Sequence, residues 1–290
     1  MPSYLTHDPI SALQTFGYTE REAAFLYLVA AHSGYFLRRQ FDYFIDRNKG
    51  SIVSRFIAKA RAAGHIKFLD YKQGWYVYHL CSRAIYRLCG EPESQLRRRK
   101  ADGLVRLRLM ALDYVLGNEE VHYLASEADR LHYFGEIREV PSEFFVDDGG
   151  RLHSLLKAFP ISLLDRARPA RCCVRFTFID EGLSESGKFL RYLDTFEQLL
   201  RAVGNFEIVY IANAESIFPS AKAAFWSRFA RTTPRSRGLF EEDVRSARHP
   251  SPLEPRFTTV LFRHSYPAIQ RSKQQGSDRV RRAKEVGTSK

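Results

Sequence analysis

Two acidic stretches, FFVDDGG with Asp147 and Asp148 and FTFIDEG with Asp180 and Glu181, carry the residue types that a Mg²⁺-dependent phosphodiesterase uses. In such a site, carboxylates at neighbouring strand ends hold the cation, and a lysine in a (D/E)xK pair helps to activate water. Here that lysine is missing. Gly182 stands two residues after Asp180 and Leu183 two after Glu181, while Lys188 belongs to the helical stretch that follows. The same acids also suit structural positions: Asp148-Gly149-Gly150 is a turn sequence, and Asp180 to Ser184 precedes a helix. The expectation is therefore no working nuclease site. Asp148 and Asp180 remain the candidate catalytic acids, with Mg²⁺ as cofactor under that alternative only.

No other catalytic pattern is present. GxxxxGK[ST], GxGxxG after a strand, HExxH and GxSxG are all missing from the sequence. The nine histidines are scattered, and His122 and His132 do not share a helical face, so no zinc site is expected. Cys81, Cys89, Cys172 and Cys173 form no CxxC pair and read as reduced, mostly buried thiols.

A different chemistry is written in RNKGSIVSRFIAKARAAGHI, from Arg47 to Ile66. Ile52, Val53, Phe56, Ile57 and Ala60 form one apolar helical stripe, and Gly64 stands where a helix terminator of positive φ is wanted. The other face carries small and basic side chains that could approach base edges and phosphates: Arg47, Lys49, Ser51, Ser54, Arg55 and Lys59.

The flanking elements give that helix a context. Thr19 followed three residues later by Glu22 is a capping-box spacing, so a first helix should run from about Thr19 to His32 and stop at Gly34. Leu37, Phe41, Phe44 and Ile45 then mark a short second helix, broken at DRNKG. After Gly64 the apolar period drops to two in HIKFLDY and again in WYVYHLC, a hairpin with a KQG tip that presents Lys67, Lys72 and Gln73. Helix, helix, turn, helix and hairpin is the order of a winged helix-turn-helix, whose third helix enters the major groove while the hairpin lies along the backbone or minor groove. A packing or dimerisation module would have the same order with its charges merely solvated.

Beyond the hairpin, SRAIYRLCGEPE reads as a short helix ended by Gly90 and Pro92. It is followed by a basic run, Arg97, Arg98, Arg99 and Lys100, leading into a densely apolar stretch. This reads as a connecting helix, basic at one end and buried at the other, whose basic end could extend a phosphate-binding surface. From about Asn118 the texture is α/β. VHYLASEADRLHYF gives an entry turn or strand and a helix, RLHSLLKAFPISLL strand material, and RCCVRFTFIDEG a strand. GKFLRYLDTFEQLLRAVG is then an amphipathic helix, FEIVYIAN a buried strand and SAKAAFWSRFAR a last helix. That order is compatible with the αβββαβ core of a restriction-endonuclease-like fold. FTTVLFRHSY adds one strand within a variable segment, and the last twenty residues have the composition of a disordered basic tail.

Composition agrees with a folded chain that meets a polyanion. The 290 residues carry 45 Lys+Arg against 33 Asp+Glu, a formal charge of +12, with 44% hydrophobic content. The first residues lack a basic, then apolar, leader pattern, and no uncharged run approaches the ~20 residues of a membrane span, so the expectation is a soluble cytoplasmic protein with no membrane partner.

Taken together, FGYTEREAAFLYLVAAHSGYFLRRQFDYFI, the wing HLCSRAIYRL, and FTFIDEG before FLRYLDTFEQLL resemble the replication-relaxation family of plasmid and mobile-element proteins, over roughly residues 10 to 230. The resemblance rests on order and texture. It implies an N-terminal winged helix joined to a nuclease-like C-terminal domain, with Asp148 and Asp180 as relics of acidic positions. The sequence thus predicts an α+β chain in five parts. A winged helix-turn-helix covers 12–90, a basic connecting helix 95–117, an α/β domain 118–232, a variable segment 233–268 and the basic tail 269–290. The expected partner is double-stranded DNA, with a second copy of the chain as a candidate, in replication, mobilisation or transcriptional regulation. A Mg²⁺-dependent nuclease or relaxase, and a protein–protein adaptor, are the alternatives.

Overall fold

The computed structural model describes residues 8–45, 50–71, 75–118, 120–165, 167, 169–180, 187–229 and 255–262. They form a mixed α+β chain in two compact units, one built on Leu13–Leu112 and the other on the residues from Asp113 onward together with those up to Ala12.

The chain enters through α1 (Pro9–Gln14) and α2 (Glu20–His32). The capping box forms as its spacing predicts: the Glu22 amide donates to Thr19 Oγ1 at 3.3 Å and the Thr19 amide to Glu22 Oε2 at 2.9 Å. Next come β1 (Tyr35–Leu37), α3 (Arg38–Phe44), α4 (Gly50–Ala62), β2 (Ile66–Tyr71) and β3 (Trp75–Leu80). The strands form an antiparallel sheet in the order β1-β3-β2. Strand β1 is an element the sequence reading did not contain. It fills the gap between two helices, all three residues are buried, and Gln40 fixes its end by accepting the Leu37 amide at 2.8 Å.

Side-chain alternation gives this sheet two separate jobs. Phe36, Tyr78, Ile66 and Leu80 share the face toward the helices, where Phe56 of α4 lies 4.2 Å from Phe41 and 6.0 Å from both Phe25 and Phe36, centroid to centroid. Tyr35, Leu37 and Val77 share the other face and pack with Val105 and Leu109 of α6 (Asp102–Leu116), which follows α5 (Arg83–Leu88). The connecting segment therefore differs from the expected single helix over 95–117. Gln95–Arg97 is one 3-10 turn, the chain then runs without regular structure, and the α-helix starts only at Asp102. Side-chain contact explains the break: the Lys100 amide donates to the Tyr35 hydroxyl at 2.8 Å, and the Leu96 carbonyl accepts from His79 Nε2 at 3.2 Å. Gly34 permits this approach. Its φ is +75°, and a Cβ there would stand 2.6 Å from the Leu96 carbonyl oxygen.

The second unit is a five-stranded sheet of order β4-β5-β6-β7-β8. Its strands are β4 (His122–Tyr123), β5 (Ile161–Leu163), β6 (Val174–Asp180), β7 (Phe206–Ala212) and β8 (Arg256–Leu261). The pairs β4–β5 and β5–β6 are antiparallel, β6–β7 and β7–β8 parallel. Parallel neighbours need crossovers, and α9 (Gly187–Val203) and α10 (Phe218–Phe229) supply them. Helix α9 buries Phe189, Tyr192, Leu193, Phe196, Leu199, Leu200 and Val203, the face its periodicity predicts. Between β4 and β5 lie α7 (Glu127–His132), which runs on into a π-turn, and α8 (Ser154–Ala158). The latter corrects the expectation of strand throughout RLHSLLKAFPISLL, whose first half is one helical turn opened by His153.

Candidate nucleic-acid interface

Helix α4 divides as its sequence suggests. Val53, Phe56, Ile57 and Ala60 are buried, whereas Ser51, Ser54, Arg55 and Ala58 are exposed on the opposite side. Arg55 and the half-buried Ile52 also line a cleft of about 650 Å³ between α2, α3 and α4, walled by Glu20, Arg21, Phe41 and Ile45. Arg47, Lys49, Lys72 and Gln73 lie outside the described residues.

Lys59 has another task. Its amine pairs with Glu22, donates to the Gly17 carbonyl at 3.1 Å and lies 5.0 Å from the Tyr18 ring centroid. These contacts tie the end of α4 to the start of α2. Sequence spacing could not reveal them, because Glu22 stands 37 residues earlier.

The sequence reading missed several groups beside α4. Arg38 of α3 donates to Ser54 Oγ at 3.1 Å. Arg61 lies 5.4 Å from the exposed Phe68 ring, and Phe68 lies 5.2 Å from the exposed Tyr76. The Tyr78 hydroxyl is pushed above its ordinary range by burial, against an opposing pull from the Arg38 and Arg61 charges. Two guanidinium groups and an aromatic pair therefore flank the helix-facing side of the hairpin.

The other predicted cations are on the opposite sheet face. Lys67 is exposed in register with His79, and Arg99 and Lys100 add their charge at His79. Burial first, then these cations, hold the His79 imidazole below its usual range. Arg98 and Arg99 are exposed and Arg97 half-buried, in the segment that crosses the Tyr35–His79 stack, whose rings are 4.4 Å apart and nearly parallel.

In the second unit the candidate acids stand in unlike settings. Asp147 closes a turn: its Oδ1 accepts the Gly149 and Arg151 amides at 3.0 and 3.1 Å, and the Arg151 amide chiefly holds its carboxyl below the usual range. Asp148 is exposed in the same turn. Asp180 is buried at the end of β6 and accepts from the Tyr210 hydroxyl at 2.6 Å; burial, then that carboxylate, raises the tyrosine's pKa. Glu181 lies outside the described residues. Among the described residues no group of three or more His, Cys, Asp or Glu side chains is placed to hold a metal ion.

Instead, one polar residue from each strand forms a row across the sheet: Tyr123, Ser162, Arg175, Glu207 and Arg256 stand in mutual register. Arg175 Nε donates to Glu207 Oε2 at 2.8 Å, and Thr258 donates to Glu207 Oε1 at 2.5 Å. Burial pulls the Arg175 guanidinium downward, but Glu207 and Tyr114 of α6 together more than offset it, so its pKa lies above the ordinary value. Two cations and one carboxylate make this row a poor cation site.

Compared with known proteins, the chain matches no family model, no curated protein and no solved structure. Among the described residues no helix is long and apolar enough to cross a membrane.

Proposed function

We propose that the chain is a duplex-DNA-binding protein whose first unit works as a winged helix-turn-helix. The observation that carries this reading is the order α2–β1–α3–α4–β2–β3 folded onto a β1-β3-β2 sheet, with the small and basic side of α4 left open. On this reading Ser51, Ser54 and Arg55 meet base edges and phosphates in the major groove, Arg47 and Lys49 precede them, and Lys67, Lys72 and Gln73 act from the hairpin. The net charge of +12 adds the salt-sensitive attraction that draws such a protein to any duplex.

The resemblance to replication-relaxation proteins carries the reading further, to a cytoplasmic plasmid or mobile-element protein acting in replication, mobilisation or transcriptional regulation. The second unit, restriction-endonuclease-like on this view, serves regulation or self-association. Its cleavage site is degenerate on this view, since Gly182 stands where a lysine would follow Asp180.

Fluorescence anisotropy of the full-length protein on a labelled random duplex tests the proposal. The expected Kd is roughly 10⁻⁴ to 10⁻⁶ M at physiological salt, rising steeply with added salt. Arg55→Ala combined with Lys49→Ala should weaken binding by about 5- to 100-fold. Unchanged affinity in that variant removes α4 as the reader. No salt-sensitive binding by the parent protein leaves the adaptor reading in its place.

A further inference from the structure

The hairpin carries a surface that duplex binding does not use. On its helix-facing side, Ile66, Leu80 and Tyr78 are buried. Further out along the same face Phe68 and Tyr76 are 41% and 48% exposed. A sheet face that extends past the helices covering it normally turns polar, because exposed apolar area forgoes about 25 cal/mol per Å² of burial. Here it stays aromatic. The two rings lie 5.2 Å apart at 50°, and Arg61 from α4 places its guanidinium 5.4 Å from the Phe68 centroid.

The charges around the pair select its partner. Arg38 and Arg61 both act on Tyr78 from the helix side, whereas Lys67, the residue just before Phe68, belongs to the opposite sheet face. Asp70, exposed and directly opposite Tyr76, is the one acid in register with the pair, and it disfavours a phosphate at the outer end. Two exposed rings set at 50° to each other, with a guanidinium over Phe68 and an acid opposite Tyr76, offer a ring face to a nucleobase, with the phosphates directed toward the arginines. In a closed duplex both faces of every internal base are already stacked. Only an unpaired base has a face to give.

We infer that Phe68 and Tyr76, with Arg61, form a stacking platform for an unpaired base, so that the preferred DNA is a boundary between duplex and single strand. This rests on the duplex-binding reading: α4 holds the paired arm while the hairpin takes the first unpaired base. A protein partner would also favour exposed aromatic and arginine side chains, and the test treats that as a contrary outcome.

The experiment compares a blunt duplex with the same duplex carrying a short unpaired fork, using full-length protein and 2-aminopurine at the first unpaired position. The fork should bind about ten-fold tighter, the return expected from stacking one base, with the 2-aminopurine emission quenched on binding. Phe68→Ala with Tyr76→Ala should bring the ratio of fork to duplex affinity close to one and abolish the quench. Phe68→Leu with Tyr76→Leu, which keeps apolar bulk and removes the rings, should do the same with an unchanged thermal melt. Equal affinity for fork and duplex in the parent protein overturns the platform and leaves the duplex reading intact. Failure to bind either DNA overturns both, and gives the aromatic pair to a protein partner. A fork preference that survives in the leucine variant assigns it to other residues and also overturns the inference.

Discussion

Replacing Arg175 by methionine keeps most of the side-chain stem and removes its charge from beside Glu207. The two side chains are 19% and 9% exposed, so the carboxylate left behind is almost fully out of water, with the Thr258 hydroxyl still donating to it. Removing one member of such a pair costs about 3–5 kcal/mol. At about 2–4 °C per kcal/mol for a unit of this size, the melting temperature should fall by roughly 10 °C. Arg175→Met with Glu207→Leu removes both charges and should recover at least about 2 kcal/mol of the single variant's loss. In a Trp75→Phe background, Trp226 on α10 is the remaining tryptophan and reports this unit during denaturant unfolding. If single and double variants lose the same stability, the pair does not hold the sheet.

Gly34→Ala combines a left-handed backbone with a contact of 2.6 Å to the Leu96 carbonyl, and should destabilise the first unit by at least about 2 kcal/mol in a urea titration; a neutral result would mean that residues 95–100 move away freely. Burial lowers the imidazole pKa of both His65 and His79 in the folded state. Their contribution is therefore present above the unfolded pKa of about 6.5 and is lost as pH falls below it, so the first unit should melt lower at pH 5 than at pH 7.5. His79→Gln should flatten that slope, and an unaltered slope would place the effect elsewhere. With Mg²⁺, supercoiled plasmid should stay intact beside the full-length protein; nicking that disappears in Asp148→Ala or Asp180→Ala would establish the enzyme reading instead.

What could be read in advance was local. The Thr19–Glu22 box, the stop at Gly34, the α4 stripe and the buried face of α9 each depend on residues within one or two turns, and each forms as its spacing predicts. What was missed depends on distant pairing. Strand β1 is three residues with no visible alternation, and it exists because Tyr35, Phe36 and Leu37 find His79, Tyr78 and Val77. Lys59 reads as a surface cation until α2 brings Glu22 to it. Ser162, Arg175 and Glu207 each look like a polar interruption of an apolar strand; only the register of five strands makes them a row. The positions of Phe68 and Tyr76 follow from alternation, but their exposure depends on how far the helices reach across the sheet. The mutual placement of Asp148 and Asp180 had no signal at all, since neither position constrains the other locally.

The distribution of charge in the first unit narrows what one duplex can touch. Ser54, Arg55, Arg38 and Arg61 belong to the helix layer on one side of the three-stranded sheet, while Lys67, Arg99 and Lys100 gather around His79 on the other. A sheet and a helix packed on it are about 10 Å apart, close to the Debye length at physiological salt. On the proposed duplex-binding reading, Arg99 and Lys100 beyond the sheet are therefore largely screened from a duplex lying on α4, and Lys67 reaches it only from the hairpin. The run from Arg97 to Lys100, read from sequence as a continuation of the reading surface, instead resembles a second and separate basic surface. A long or bent DNA could use both, and a short straight duplex only one. Total charge thus overstates the contact made at a single site, and on that reading the salt slope on a short duplex should reflect the α4 face and the hairpin, without the run from Arg97 to Lys100.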